Sequence, residues 1–366
     1  MSRERPASRR RSLALACALA VAPGVAMTAA VDASSFVQPR DREGRFVNLD
    51  GSGPHGFGAI LKWKIVDRLA GRNRSAPDRA PVPTVAPDLA KIASPPAAGE
   101  GARVTWIGHA TFLVQLDGKT LIVDPVMGDV WPWFHRNVPP GVPFEKLPRI
   151  DAALVSHSHY DHLDMPTLKR LGAPVYAGLG LRKLFAKEGL SCTELGWWQS
   201  ARVGDVELTF VPAQHWSRRG FGDTNRTLWG GFVVKGTSAV VFHAGDSAYF
   251  AGFAEIGRRW RIDAALLPIG AYDPRWFMGS MHMSPEEALR AFRDLGARTF
   301  VAMHWGTFKL TDEPLDEPPR RLEAERRRAG PPAERVRVLA VGETAEIAAD
   351  LAARSPAAPP LESASP

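Results

Sequence analysis

Short apolar runs separated by turn-forming residues follow one another from residue 103 to residue 344. Runs of this kind, bounded by Gly, Pro, Asn or Asp, are typical of buried β-strands. Asp117-Gly118 separates two of them and predicts a two-residue hairpin turn. The runs are VTWIG, TFLVQL, KTLIVDP, AALVSH, ELTFVPAQH, LWGGFVV, SAVVFHAGD, AALLPIGAY, TFVAMHW and RVRVLAVGET.

Helical spacing of apolar residues lies mainly between the later runs. The clearest case opens with Ser284-Pro285-Glu286-Glu287, a capping box with proline at the first helical position. Strands that come first, with helices inserted between later strands, predict a mixed α/β (α+β) fold. The predicted helices are residues 59–69, 166–171, 181–188, 253–260, 285–295 and 320–328.

The pattern divides the chain into four parts. Residues 1–30 are a predicted signal peptide, and residues 31–100 are an N-terminal extension that ends in a Pro/Ala-rich connector. The strand-rich part, residues 101–349, is the predicted main folded domain, and residues 350–366 are a Pro/Ala/Ser tail that we expect to be mobile.

Composition and charge narrow the function classes. The 366 residues carry a net charge of +7, with 45% hydrophobic and 23% charged residues, which is an ordinary globular balance. Five arginines and one glutamate within the first 11 residues account for +4 of that charge, so +3 remains for the rest. A body with so small an excess does not indicate a nucleic-acid-binding protein.

The N-terminus combines those arginines with an apolar run from Leu13 to Val31 and small residues after it. This arrangement predicts a secretory signal peptide that is cleaved after Ala30, or alternatively after Ala33. The alternative is an uncleaved anchor, although Pro23 and Gly24 weaken the run as a permanent membrane span. Either reading predicts an exported protein that is periplasmic or membrane-associated.

The chemistry-bearing motif is His157-Ser158-His159-Tyr160-Asp161-His162, between a predicted strand and a predicted helix. Four potential metal ligands within six residues cannot all reach one tetrahedral ion. On an irregular turn, two of them can point one way and two the other, which suits two adjacent metals. So many ionisable groups in one buried loop would be costly without such a purpose.

Three further candidates, His215, Asp246 and His304, each end an apolar run. Strand ends along one edge of a sheet converge, so these side chains are expected near the hexapeptide. Imidazole and carboxylate ligands without thiolate suit two Zn²⁺ ions, with Fe²⁺ or Mn²⁺ as alternatives. The remaining histidines His55, His135 and His243 are expected to be structural or surface residues.

The motif and the distant His, Asp and His resemble the metallo-β-lactamase superfamily. Longer stretches resemble its N-acylphosphatidylethanolamine-hydrolysing phospholipase D family, from about residue 45 to about residue 342. This resemblance implies an αββα sandwich. The stretches are VTWIGHATFLVQ, LIVDP, SHSHYDHLD, QHWSRR, LWGGFVV, AGDSAYF, EIGRRW, PIGAYDPRWFM and MHWGTF.

The resemblance also implies roles for individual residues. His157, His159 and His215 would hold one zinc ion. Asp161, His162 and His304 would hold the other, and Asp246 would bridge the two. It assigns catalytic roles to Asp161, His282 and Asp124, the last as a carboxylate that orients a ligand histidine. His109 lies in a family motif without being a family ligand, and we expect it to be structural or to support a ligand.

The implied activity is phosphodiester hydrolysis of the phospholipase D type on N-acylphosphatidylethanolamine-like lipids. Trp131-Pro132-Trp133-Phe134 would offer an apolar contact for a membrane or an acyl chain, as would Trp197-Trp198 and Phe221. Arg218-Arg219 could hold a phosphate. The resemblance also allows a homodimer. The open alternatives are a lactonase or a phosphoesterase for a small soluble substrate. A di-iron oxidoreductase is disfavoured by His159, and a non-catalytic binding protein by the complete ligand set.

Overall fold

Two seven-stranded β-sheets form the body of the protein. The computed structural model describes residues 38–74, 76–77, 79–130 and 134–349. The predicted signal peptide, the predicted tail and Trp131-Pro132-Trp133 lie outside the described residues. Within these ranges, no helix has the length and apolar character needed to cross a membrane.

The first sheet has the strand order β14-β1-β2-β3-β4-β5-β6. The strands from β14 to β3 pair antiparallel, and those from β3 to β6 pair parallel. Its strands are β1 (Ala102–Gly108), β2 (Thr111–Leu116), β3 (Lys119–Val123), β4 (Ala152–Val155), β5 (Val175–Gly178), β6 (Cys192–Leu195) and β14 (Thr344–Ile347).

The second sheet has the order β13-β12-β11-β10-β9-β8-β7. Here β7 to β10 pair antiparallel, and β10 to β13 pair parallel. Its strands are β7 (Ser200–Val203), β8 (Val206–Val211), β9 (Gly231–Lys235), β10 (Val240–His243), β11 (Ala264–Pro268), β12 (Thr299–Met303) and β13 (Val336–Arg337).

The helices lie between parallel strands or in the N-terminal extension. They are α1 (Phe57–Leu61), continued by a π-helix (Lys62–Asp67), α2 (Leu89–Ala93), α3 (Met165–Leu171), α4 (Arg182–Lys187), α5 (Gly252–Arg259), α6 (Arg275–Met278), α7 (Pro285–Asp294) and α8 (Glu317–Ala329). Single 3₁₀ turns occupy Phe144–Lys146 and Ala333–Arg335. Helix α8 begins three residues before its predicted start. Helices α2 and α6 and strands β5, β6 and β7 were not predicted.

Two local sequence signals form as predicted. Asp117 and Gly118 have φ values of +49° and +68°, so both central residues of the β2–β3 hairpin are left-handed, as a type I′ turn requires. At the start of α7, the Ser284 hydroxyl accepts a hydrogen bond from the Glu287 amide, and the Glu287 carboxylate accepts one from the Ser284 amide. The hairpin turn places residues that tolerate left-handed backbone dihedrals where such dihedrals are needed. The capping box satisfies backbone N–H groups that would otherwise lack partners at the start of the helix.

Alternation along the strands builds the core. In β2, Phe112 and Val114 face the large core between the sheets, whereas Leu113 packs in a second core with Leu168 of α3 and Phe185 of α4. Helices α5 and α7 contribute buried residues to the large core from the side of the second sheet. The layers therefore run helix, sheet, sheet, helix, and the predicted αββα sandwich is confirmed.

Candidate metal centre

The hexapeptide of residues 157–162 forms the loop between β4 and α3, and Asp124 anchors it. Asp124 follows β3, the parallel neighbour of β4, and its fully buried carboxylate accepts hydrogen bonds from the Ser156 amide and hydroxyl, both at 2.7 Å. Its Oδ2 also lies 2.7 Å from Nδ1 of His162. Because Nδ1 is engaged in this way, Nε2 of His162 is presented to the centre of the site.

Three imidazoles make up the first ligand group. Nε2 of His157 lies 2.8 Å from Nδ1 of His159, and Nε2 of His215 lies 3.2 Å from the same nitrogen. One nitrogen from each ring falls within 4.8 Å of the other two, a geometry that can hold a metal ion. Nδ1 of His215 is 2.9 Å from the Met281 carbonyl oxygen, which fixes the orientation of that ring.

The second ligand group contains Asp161, His162 and His304, and His109 joins it. Oδ2 of Asp161 is 3.6 Å from Nε2 of both His162 and His304. Nε2 of His109 lies closer to the same oxygen, at 3.0 Å. His109 therefore supports the Asp161 carboxylate, as the sequence led us to expect, and it also stands within reach of a metal in this group.

Asp246 lies between the two groups. Its Oδ2 is 3.2 Å from Nε2 of His162 and 3.8 Å from Nε2 of His215, and its Oδ1 is 3.0 Å from Nε2 of His304. A carboxylate that faces ligands of both groups can give one oxygen to each of two ions. His157 and His159 approach His215, and Asp161 and His162 approach His304, while His157 and His162 also lie within 4.8 Å of Asp246, where the two groups meet.

Burial and charge set the protonation of the site. Burial lowers the pKa of His159 to about 3 and that of His215 to about 4, so both rings are neutral at pH 7. Burial opposes the charged form of His304 as well, but Asp246 and Asp161 outweigh it and raise the pKa to about 9. Burial opposes ionisation of Asp246, but His162 and His304 outweigh it and hold the pKa of Asp246 well below its usual range, so it remains ionised.

The buried polar atoms fit a pair of cations. Nε2 of His162, Nε2 of His304, Oδ1 of Asp246 and Nδ1 of His282 are buried, and their close contacts do not have the geometry of hydrogen bonds. Buried polar atoms in this state are destabilising unless another group satisfies them. Bound metal ions would supply that partner, and the donor set of imidazoles and carboxylates suits Zn²⁺, Fe²⁺ or Mn²⁺.

His282 enters the site from the turn between α6 and α7. Its amide donates to the Met278 carbonyl at 2.9 Å, and its ring centroid is 5.0 Å from that of His215. Nδ1 of His282 is 3.9 Å from Oδ2 of Asp246. The structure therefore brings this predicted active-site histidine to the edge of both ligand groups.

The three histidines that were expected to be structural or surface residues lie outside the two ligand groups. His243 is buried with Nε2 2.9 Å from the Ala110 carbonyl oxygen, and it accepts a hydrogen bond from the Gly245 amide. His135 is exposed and pairs with Asp129, and His55 stacks on Phe277 with ring centroids 4.7 Å apart.

The secondary candidates for lipid and phosphate contact are mostly engaged inside the fold. Trp197 is buried and donates to the Trp229 carbonyl, and Trp198 stacks on Trp260. The Arg219 guanidinium donates to the Ser158 carbonyl and lies over the Tyr160 ring, so it braces the hexapeptide loop. Trp197-Trp198 and Arg219 are therefore explained by packing.

Sequence reasoning missed Asn48 and Ser156. Nδ2 of Asn48 donates to the His215 carbonyl at 2.8 Å, and its Oδ1 accepts from the His215 amide at 3.1 Å. Ser156 joins Asp124 to the loop through its hydroxyl. A buried hydroxyl directly before the hexapeptide was a usable signal, whereas Asn48 lies in an irregular segment whose partner cannot be read from local pattern.

Comparisons with known proteins agree with this architecture. Residues 119–305 match the family model of the beta-lactamase superfamily domain. The chain is also similar to a solved structure, an isothiocyanate hydrolase from Delia radicum gut bacteria. The TM-score is 0.55 and the identity 22%, over 68% of this chain and all of that chain. At this identity the likeness concerns the fold alone.

Three relatives are similar in sequence. An uncharacterized protein of Mycobacterium tuberculosis is 36% identical, over 80% of this chain and 81% of its own length. A metal-dependent hydrolase of Rubrobacter xylanophilus is 36% identical, over 57% and 83%. The N-acyl-phosphatidylethanolamine-hydrolyzing phospholipase D 1 of Caenorhabditis elegans is 37% identical over 57% of this chain, which spans 65% of that protein. The chain therefore belongs to the beta-lactamase superfamily and is one of its metal-dependent hydrolases.

Proposed function

We propose that the protein hydrolyses phosphodiesters and that its substrate is a phospholipid of the N-acylphosphatidylethanolamine type. The observation that supports this most directly is the 37% identity to the Caenorhabditis elegans phospholipase D, over 232 residues. The arrangement of two adjacent ligand groups that share Asp246 supports the same reaction class. A phosphodiester needs both an activated water and a partner for its charged oxygens, and two neighbouring cation sites supply both.

The residues that would hold two zinc ions are those predicted from sequence. His157, His159 and His215 would hold one ion, Asp161, His162 and His304 would hold the other, and Asp246 would be shared. In support of this, all seven belong to clusters of His and Asp whose ligand atoms lie within 4.8 Å of one another. Bound zinc would lower the pKa of a water molecule and neutralise charge that develops on the phosphoryl group. Asp161 and Asp246, both ionised, compensate the positive charge of the ions.

The chain's own residues orient the ligand side chains and donate hydrogen bonds toward the substrate. Asp124 fixes His162 through Nδ1, and His109 holds the Asp161 carboxylate. His282 is buried, with Nδ1 unpartnered and 3.9 Å from Asp246. Burial holds the pKa of His282 well below its usual range, so the neutral ring can donate an N–H hydrogen bond to a phosphoryl oxygen or to the leaving alkoxide. A buried site strengthens each of these interactions because little water competes for them.

A direct test assays one preparation on three substrates. The full chain would be stripped with a chelator, reloaded separately with Zn²⁺, Mn²⁺ or Fe²⁺, and analysed for metal content. Each form would then be offered N-acylphosphatidylethanolamine, a soluble phosphodiester and a lactone. We expect two metals per chain and release of phosphatidic acid from the lipid. Hydrolysis of the lactone alone would refute the phosphodiesterase proposal, and hydrolysis of only the soluble diester would refute the lipid substrate.

A further inference from the structure

The N-terminal helical segment, residues 57–69, exposes an unusual amount of apolar surface. It contains α1 and the π-helix that continues it, and only Trp63 and Asp67 of its residues are buried. Among the described residues, it holds half of the large apolar side chains that are exposed. These are Phe57, Ile60, Leu61, Ile65, Val66 and Leu69, with exposed fractions between 38% and 84%.

Trp63 attaches this segment to the protein, Asp67 makes local ion pairs, and neither residue covers the apolar side chains. The Trp63 indole donates to the Asp312 carboxylate at 2.7 Å, and its ring centroid is 4.8 Å from that of Phe277. The Asp67 carboxylate pairs with Lys62 at 2.6 Å and with Arg72 at 3.3 Å. The segment is therefore held at a fixed place while its apolar side chains face outward.

The charge of the segment indicates what can cover it. Between residues 57 and 72, Lys62, Lys64, Arg68 and Arg72 stand against the single acid Asp67, which gives a net charge of +3. A helix with large apolar residues and a basic polar side lies in the interface of a membrane that contains anionic lipids. A second copy of this chain, packed isologously, would instead bring +3 against +3.

The segment also adjoins the candidate metal centre. Phe277, on which Trp63 packs, belongs to α6, and Met278 of that helix accepts the hydrogen bond from the His282 amide. Nζ of Lys62 lies 3.9 Å above the ring of Trp276, which is 44% exposed and also belongs to α6. One short helix therefore links the apolar surface to His282.

We propose that residues 57–69 are a membrane-docking surface that inserts its apolar side chains into an anionic phospholipid bilayer. This surface differs from the loop of residues 131–134 that the sequence suggested. Docking itself goes beyond the proposed function and needs no hydrolysis. Its use, the delivery of a lipid headgroup to His282 from the adjoining membrane, rests on the proposed function.

The test places a polarity-sensitive fluorophore on the surface. In the full chain carrying Cys17→Ser and Cys192→Ala, the label would be attached at Leu69→Cys, or at Val338→Cys as an exposed apolar control. Phosphatidylcholine vesicles with and without phosphatidylglycerol would be added, with no N-acylphosphatidylethanolamine present. We expect the Leu69 label alone to shift to the blue and to be quenched by spin-labelled acyl chains. Because the label reports its own surroundings, an N-terminal anchor could not produce this result.

The charge contribution is tested with Arg68→Gln, which should weaken partition onto the phosphatidylglycerol vesicles about fivefold. An unshifted Leu69 label, or equal shifts at Leu69 and Val338, would overturn the docking proposal. A shift that appears without vesicles and grows with protein concentration would assign the surface to a second copy and overturn it too. If the protein hydrolyses a soluble phosphodiester while its Leu69 label stays unshifted, the docking proposal fails and the proposed reaction is retained. If the Leu69 label shifts on vesicles but no phosphodiester is hydrolysed, the docking proposal is retained and the proposed reaction fails.

Discussion

Asp124 and His162 form a fully buried pair in which the carboxylate Oδ2 lies 2.7 Å from the imidazole Nδ1. The same carboxylate accepts two hydrogen bonds from Ser156, so its position is fixed by β3 and β4 together. The pair leaves Nε2 of His162 free to face Asp246 at 3.2 Å. The orientation of a ligand histidine is thus set by the register of two parallel strands.

Replacement of Asp124 should weaken metal binding. In Asp124→Asn, the neutral amide no longer favours the protonated Nδ1, so His162 loses both its fixed tautomer and its basicity. Loss of such a supporting carboxylate reduces metal affinity by about 10- to 100-fold. Competition with a fluorescent chelator measures the change.

The control is Asp129→Asn in the same loop region. Asp129 is exposed and contacts His135 at 2.8 Å, away from the ligand groups. We expect its metal affinity to match that of the unaltered protein. An equal loss in both variants would contradict the role given to Asp124.

Asn48 should control both folding and the first ligand group. Asn48→Ala removes the partners of the His215 amide and carbonyl and one acceptor of the Trp229 indole, all buried. Unsatisfied buried groups of this kind cost about 1–3 kcal/mol each, so urea unfolding should show a clear loss of stability. Because His215 is then less firmly held, the metal that it binds should also exchange faster. Asn73→Ala, which removes one hydrogen bond to the Trp63 carbonyl, should leave metal exchange unchanged.

His109 should act on the second ligand group and spare the first. In His109→Gln, the Asp161 carboxylate loses or lengthens its 3.0 Å contact, and Asp161 can turn away from His162 and His304. Titration with Co²⁺, followed by its visible absorption, should show one of two binding steps weakened. His243→Gln, also a buried histidine, should lower stability without separating the two steps. Two equally weakened steps would argue against a selective role.

Much of the site was predictable because its residues follow strands. His157 lies beyond β4 of the first sheet, and Asp246 and His304 lie beyond β10 and β12 of the second sheet. The carboxyl ends of these strands, from both sheets, bring their side chains together in one site. The strand ends and the ligand types were visible in the sequence. Which atoms approach one another was not, because it depends on the left-handed backbone at residues such as His304, with φ of +62°.

The N-terminal extension shows where sequence reasoning stops. Apolar spacing predicted a helix over residues 59–69, and the structure has a helical segment there. The same spacing gives no information on burial, because a helix becomes buried only if the rest of the fold provides a surface for it. Within residues 57–69, only the side chains of Trp63 and Asp67 are buried. Asn48, in the same extension, binds His215 across a separation in sequence that no local pattern encodes.

His282 should be needed for turnover and not for metal binding. His282→Ala removes a buried hydrogen-bond donor beside Asp246, and loss of one such donor to developing negative charge costs about 10²- to 10³-fold in rate. We expect two metals per chain and a much reduced kcat, with a larger loss for substrates whose leaving alkoxide is more basic. His135→Ala, an exposed histidine, should behave as the unaltered protein. Loss of a metal from His282→Ala would make it a ligand instead.

Glu317, at the first turn of α8, joins three parts of the chain. Its carboxylate pairs with Arg74 of the N-terminal extension and accepts a hydrogen bond from the Tyr272 hydroxyl at 2.7 Å. Hydrogen bonding to Arg74, above all, lowers the pKa of Glu317 from 4.5 to about 2, although burial opposes the change. The folded protein therefore favours the ionised carboxylate more strongly than the unfolded chain does.

A carboxylate whose pKa is lower in the folded protein than in the unfolded chain stabilises the fold at pH values above its unfolded pKa. This stabilisation is lost as the pH falls through the folded pKa. Glu317→Gln should therefore lower the free energy of unfolding by about 2 kcal/mol at pH 7. The difference from the unaltered protein should shrink as the pH falls from 4.5 to about 2. Urea unfolding at several pH values measures it, with the exposed Glu334→Gln as the control. A difference that stayed constant across this range would show that Glu317 acts through packing, because only a charge-dependent contact is lost on protonation.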